Sequence, residues 1–110
     1  MEDFSILDAL TYTTFQEHLN DKFMIRADFP EPLEVELVEV SESSQRMPLR
    51  QQEQFESFSL IFHSPLNFLL EQGTYLFAHE QLGELPIFIT PIKQTADGFR
   101  YQAVFNRLRR

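Results

Sequence analysis

The sequence predicts a mainly β domain: a small antiparallel barrel or two-sheet sandwich of about six strands, with one short N-terminal helix. Three observations predict it. From residue 22 onward apolar residues recur with a period of two, the spacing that sets alternate side chains on one face of a strand. The alternating segments are joined mainly by short turn signals, which argues against the strand–helix rhythm of a parallel sheet. And 110 residues, 43% of them apolar, suffice for one hydrophobic core and are too few for two ordinary domains. Residues 1–110 are therefore expected to form a single β-domain, with strands between about residues 22 and 106.

The helix is expected over residues 14–20, within "YTTFQEHL". Thr14 followed by Glu17 fits a capping box, in which each side chain satisfies an orphan N–H. Phe15 and Leu19, four apart, share a face, with His18 beside them. "KFMIRADFPEP" holds a short strand that ends at Pro30 and Pro32. In "LEVELVEVSES" Leu33, Val35 and Leu37 alternate with Glu34 and Glu36, and the phase slips at Val38 before Val40. Such a slip signals a β-bulge or burial on both faces. "SQRMPLRQQEQ" reads as the main loop, with Met47 and Leu49 tacking it down. "FESFSLIFHS" resumes the alternation, and "PLNFLLEQG" is a connector apolar enough to fold back over an open end of the core.

Gly73 is free to take positive φ and start the strand "TYLFAHE", with Tyr75, Phe77 and His79 on one face. "EQLGE" turns the chain at Gly83, and "LPIFITPI" returns with Pro86 and Pro91. Prolines cannot donate to a ladder, so this strand is expected at a sheet edge. "ADGF" is a further turn signal, and "FRYQAVFNRL" closes the domain. The expected core is Val35, Leu37, Phe58, Leu60, Phe62, Tyr75, Phe77, Ile87, Ile89, Ala103 and Phe105.

Composition narrows function. The chain has no cysteine, which excludes disulfides, thiol catalysis and thiolate metal sites. Residues 1–60 carry 13 Asp/Glu against 4 Lys/Arg, or −9, and residues 61–110 carry 4 against 5, or +1, summing to −8. Phosphate binding needs clustered cations, so nucleic acid is not the expected partner. The acidic "MEDFSILDAL" lacks the basic start and apolar run of a signal peptide, and no apolar run approaches membrane-span length. A cytoplasmic protein with no membrane partner is expected.

Four candidate chemistries present themselves. His79 could act as a base or ligand, with Glu80 or Glu84 orienting it and Tyr75 on the same face; the competing reading, a polar residue ending a strand at a turn, is favoured. The histidines, His18, His63 and His79, show no ligand spacing, so no metal is expected. No nucleophile motif surrounds Ser59, Ser64, Thr74 or Thr90. Finally, Glu34, Glu36, Glu39 and Glu42 form an acidic strand, most simply a solvated face, but also one able to steer a basic partner.

The segments "FSLIF", "QGTY", "HEQLGELPIFITPI" and "YQAVFN" resemble a family of small bacterial proteins of unknown function with the motifs F-S-L-x-F, Q-G-T-Y, H-x-x-L-G and Y-x-A-x-F-N. The likeness covers residues 14–106 and departs at Ala78, where the family more usually has Glu before His. It implies an association with phage-tail-like or tail-collar proteins and carries over no catalytic residue. The expectation is a non-enzymatic protein–protein interaction or assembly module without cofactor, meeting a basic protein surface through Glu34, Glu36 and Glu39. The alternative is an enzyme or small-ligand binder with a site at the barrel mouth near Tyr75, His79 and Glu84. Depth separates them: a ligand binder needs an enclosed pocket with converging polar groups, whereas an interaction module needs a filled interior.

Overall fold

The computed structural model describes residues 11–26, 31–42, 54–65 and 69–109; the loop predicted around Met47 and Leu49 lies outside them. Helix α1 (Tyr12–Gln16) precedes six strands: β1 (Lys22–Arg26), β2 (Leu33–Glu42), β3 (Gln54–Ser64), β4 (Gly73–His79), β5 (Gly83–Thr95) and β6 (Gly98–Arg109). They close into a barrel in the order β1-β2-β3-β6-β5-β4, and every neighbouring pair is antiparallel. Of the two architectures the alternation allowed, the barrel is the one formed. Two pairings that skip sequence neighbours close it. β3 runs against β6 from Gln54↔Arg109 to Ser64↔Phe99, and β1 against β4 through Ile25↔Phe77. The last strand extends three residues beyond the expected boundary. Among the described residues no helix is long and apolar enough to cross a membrane.

The helix starts earlier than its sequence signal. Thr11, in an extended conformation, is the N-cap and its hydroxyl accepts from the Thr14 N–H. Thr14 is thus inside the first turn, and Glu17 is the C-cap rather than a capping-box partner. Packing decides the register. With the start at Thr11, Tyr12 and Phe15 lie one turn apart, and both rings meet Phe58, at 6.4 and 5.9 Å. Phe15 also reaches Phe105 at 5.8 Å. Leu19, beyond the helix, does not share this face and stays exposed.

The slip at Val38 is a bulge: the β2–β3 register jumps between Leu37↔Phe62 and Glu39↔Ile61. Its effect follows from the strand period. Skipping one residue returns Val40 to the inner side opposite Leu60 and keeps Glu39 on the outer side with Glu34 and Glu36.

β5 corrects the expectation of an edge strand, for it has a neighbour on either side. It pairs with β4 only over Gly83–Ile89 and with β6 only over Thr90–Thr95. Each proline therefore lies where the strand has a single partner, and a register shift directly follows Pro91. Staggered pairing gives each proline a local edge inside a closed barrel, which removes the conflict with its missing donor. Gly73 opens β4 without positive φ, whereas Gly83 and Gly98 adopt it.

The described interior is apolar. Phe23, Ile25, Val35, Leu37, Phe58, Leu60, Phe62, Phe77, Leu85, Ile87, Ile89, Tyr101 and Ala103 form one buried cluster. Tyr75 and Phe105, expected in it, are only partly buried because they sit toward its ends. Phe15 covers one end. At the other, the described end of the connector reaches the core through one residue: Leu70 is buried, and its N–H donates to the Tyr101 hydroxyl at 2.9 Å. Burial raises the pKa of that hydroxyl above its ordinary value.

Candidate functional site

Among the described residues, a group of polar side chains converges at the helix end of the barrel. After α1 the chain turns at Asn20, whose φ of 76° is left-handed. The Asn20 N–H donates to the Leu37 carbonyl at 2.7 Å, and the Leu37 N–H donates to the Asp21 carbonyl at 3.0 Å. These bonds fix Asp21 against β2 just ahead of β1. His18, three residues earlier, directs Nδ1 to Asp21 Oδ2 at 2.9 Å.

His79 arrives from β4, 58 residues away in sequence, with Nε2 at 2.8 Å from the same oxygen. Its Nδ1 accepts the Gln81 and Leu82 N–H groups at 2.9 and 3.1 Å. The ring thus caps the β4–β5 turn. Two donors facing Nδ1 leave that nitrogen without a proton, so the neutral ring carries its proton on Nε2 and donates it to Asp21. The His79 ring also packs on Phe23 and, edge-on, on His18, each at 4.7 Å between centroids. The hydrogen bond from His79 first, then that from His18, holds the Asp21 carboxyl below the usual carboxylate range, against a smaller opposing effect of desolvation.

His18 Nδ1, Asp21 Oδ2 and His79 Nε2 lie within 4.8 Å of one another, close enough to consider a metal. The hydrogen bonds at His79 Nδ1 argue against that reading. A metal-bound histidine offers a bare nitrogen to the ion and donates its other N–H to an acceptor. His79 has the reverse arrangement, with its far nitrogen facing two donors. The trio is a hydrogen-bonded lock tying the helix turn to the β4–β5 hairpin. An open cleft of about 580 Å³ beside it is lined by Glu17, His18, Asp21, Lys22, His79 and Glu80, among others.

The other sequence candidates are dispersed. Tyr75 shares His79's strand face, but Phe77 stands between them, and the Tyr75 hydroxyl donates to the Glu71 carbonyl at 2.6 Å. Glu84 pairs across from Ala78, not His79, and reaches Arg26 at 3.6 Å. Tyr75, His79 and Glu84 therefore do not converge.

Glu34, Glu36 and Glu39 do share the outer face of β2. Glu34 meets Lys22 at 3.3 Å, and Glu39 accepts the Ser41 hydroxyl at 2.8 Å. Glu36 stands in register between Lys22 and His63. His63 in turn lies opposite Arg100, and among the described residues neither of its buried ring nitrogens has a hydrogen-bond partner; Asp97 is 3.6 Å away. The sequence reading missed the His18–Asp21–His79 lock. Its local half, H-x-x-D, was visible, but the third member depended on topology.

No curated protein and no solved structure matches the chain. A family model, the domain of unknown function DUF6916, matches residues 10–105. That span takes in every element from α1 to Phe105 of β6, and the chain belongs to the DUF6916 family.

Proposed function

We propose that this domain is a non-enzymatic interaction module that meets a basic protein surface through the outer face of β2. The packed core carries this reading: among the described residues, aromatic and aliphatic side chains form one buried cluster inside the barrel, with Phe15 toward one end and Leu70 toward the other. A ligand at the barrel mouth would have to displace this packing, which leaves the surface to do the work. On that surface the bulge keeps Glu34, Glu36 and Glu39 together, and Glu36 and Glu39 have no ion-pair partner among the described residues. Lys22 partly offsets Glu34, so the face is acidic without being uniform. The resemblance to proteins near phage tails makes a component of a tail-like assembly the partner class, met in the cytoplasm.

Steering by exposed charge is screened by salt. A partner captured from the native host should be basic, should bind quickly, and should elute as salt is raised. A partner that stays bound at high salt, or that is itself acidic, would refute the reading.

A further inference from the structure

The outer face of β1, β4 and β5 carries apolar side chains where a strand face toward water is usually polar. In β4 the inner positions Tyr75, Phe77 and His79 alternate with Thr74, Leu76 and Ala78, so two of the three outward positions are apolar. The register adds neighbours. Met24 on β1 stands opposite Ala78, and Pro86 on β5 stands opposite Leu76. Phe88, two residues along β5 from Pro86, has the same parity and is 53% exposed. Single exposed apolar residues are ordinary on a protein surface, whereas a contiguous group marks a contact site. Two inter-strand steps and two steps along a strand make this patch about 10 Å by about 13 Å. Acidic groups flank it. One row across four strands reads Glu34, Met24, Ala78, Glu84. Arg26, opposite Leu76, reaches diagonally across β4 to Glu84 at 3.6 Å. Both of those side chains are largely exposed, and such a surface pair holds weakly.

We propose that this patch seats an amphipathic basic helix of the protein that β2 meets, with its apolar stripe on Leu76, Pro86 and Phe88 and its flanking cations on Glu34 and Glu84. The seat rests on the reading that β2 faces a basic surface, and it continues that surface past Met24. Charge complementarity selects the occupant: carboxylates stand at both ends of the row, and a cation from the helix takes the place of Arg26 on Glu84. The ladder selects the helical form. β4 has β1 on one side and β5 on the other, so an extended segment laid on its face would find no backbone partners there. A helix satisfies its own backbone and offers a single apolar stripe. Three turns, about 16 Å, cover the patch.

Three fluorescent peptides of equal length and equal lysine content serve as probes, read by anisotropy at physiological salt. One carries leucines spaced i, i+3, i+4 and i+7 on a single helical face. The second has the same residues shuffled off that face, and the third has serine in place of leucine. The first should bind the wild-type chain at least about tenfold more tightly than the others and gain helical circular dichroism when bound. Phe88→Ser and, independently, Pro86→Ser should each weaken it about tenfold. Both positions are exposed, so both variants should keep the wild-type melting temperature. Equal binding of the three peptides, or binding unchanged in both variants, would overturn the proposal. Loss of binding on reversing Glu34, Glu36 and Glu39 to lysine, with none in Phe88→Ser, would remove the seat and keep the acidic face. Loss in Phe88→Ser alone would support the seat and refute the reading of β2. Self-association of the wild-type chain that Phe88→Ser abolishes would assign the patch to a second copy, and co-sedimentation with phosphatidylcholine vesicles would assign it to a lipid surface; either would overturn the proposal.

Discussion

Replacing Phe62 by alanine should show that the packed barrel interior holds the fold together. Phe62 is fully buried, its ring 4.8 Å from that of Phe77 and 5.4 Å from that of Phe23. It sits opposite Leu37 on β2 and Tyr101 on β6. Truncation removes the transfer free energy of the ring and leaves a cavity, together about 3–5 kcal/mol for a buried Phe→Ala change. Two aromatic pairs, each contributing about 0.5–1.5 kcal/mol beyond area, disappear with it. Strands held on both sides have little freedom to collapse into the void, which places the expected loss near 4 kcal/mol. That is a large share of the roughly 5–15 kcal/mol that stabilises a typical domain. It corresponds to a fall in melting temperature on the order of 15 °C or more for a chain of this size. Urea unfolding should show a lower midpoint at unchanged slope. Val104→Ala, at an exposed site, should stay within about 0.5 kcal/mol of wild type. A Phe62→Ala loss below about 1 kcal/mol would mean that the ring does not lie in a close-packed interior.

Other consequences are equally open to measurement. An alanine Cβ at Gly98 would stand 1.9 Å from the Ser64 carbonyl oxygen, whereas one at Gly83 would meet nothing within 4 Å. Gly98→Ala should therefore destabilise far more than Gly83→Ala, whose left-handed φ alone costs about 1–2 kcal/mol; equal losses in urea melts would refute the close approach. Tyr101→Phe strips the Leu70 N–H of its acceptor and should cost about 1–3 kcal/mol, with faster hydrogen exchange at Leu70. Unchanged exchange there would show that the connector is not held by this bond. Asp21 titrates below its ordinary 3.8 in the folded state, so its contribution is present above that value and is lost as pH falls through the folded pKa. The melting-temperature gap between wild type and Asp21→Asn should thus narrow as pH drops below 3.8. A gap of constant size would mean that the lock does not depend on the carboxylate.

The strand pattern made much of this barrel legible. Period two located β2 to β6, and the broken phase at Val38 located the bulge, because a slip of one residue exchanges faces and is visible as adjacent apolar residues. Local signals failed where tertiary packing overrode them. Thr14 and Glu17 match a capping box better than Thr11 does, yet burying Phe15 against Phe58 sets the helix start at Thr11. Pro86 and Pro91 suggested an edge, and the stagger that accommodates them in a closed barrel is a property of three strands rather than of one. Tyr75 has the parity of a core residue, but parity does not tell how near a strand's end a position lies. The lock at His79 lay furthest from view: a ring that caps its own turn while bonding Asp21, 58 positions earlier, leaves no periodic trace.

The central claim, recognition of a basic partner by the outer face of β2, is tested most directly by measuring partner affinity for wild type and for the triple variant Glu34→Lys, Glu36→Lys, Glu39→Lys at physiological salt. These side chains lie on the outer face, and the one ion pair among them within the described residues is a surface pair with Lys22, which contributes at most about 1 kcal/mol. The account predicts that the variant melts close to wild type and no longer binds. Binding that survives in the correctly folded variant would contradict it and reduce the acidic face to a solvated surface.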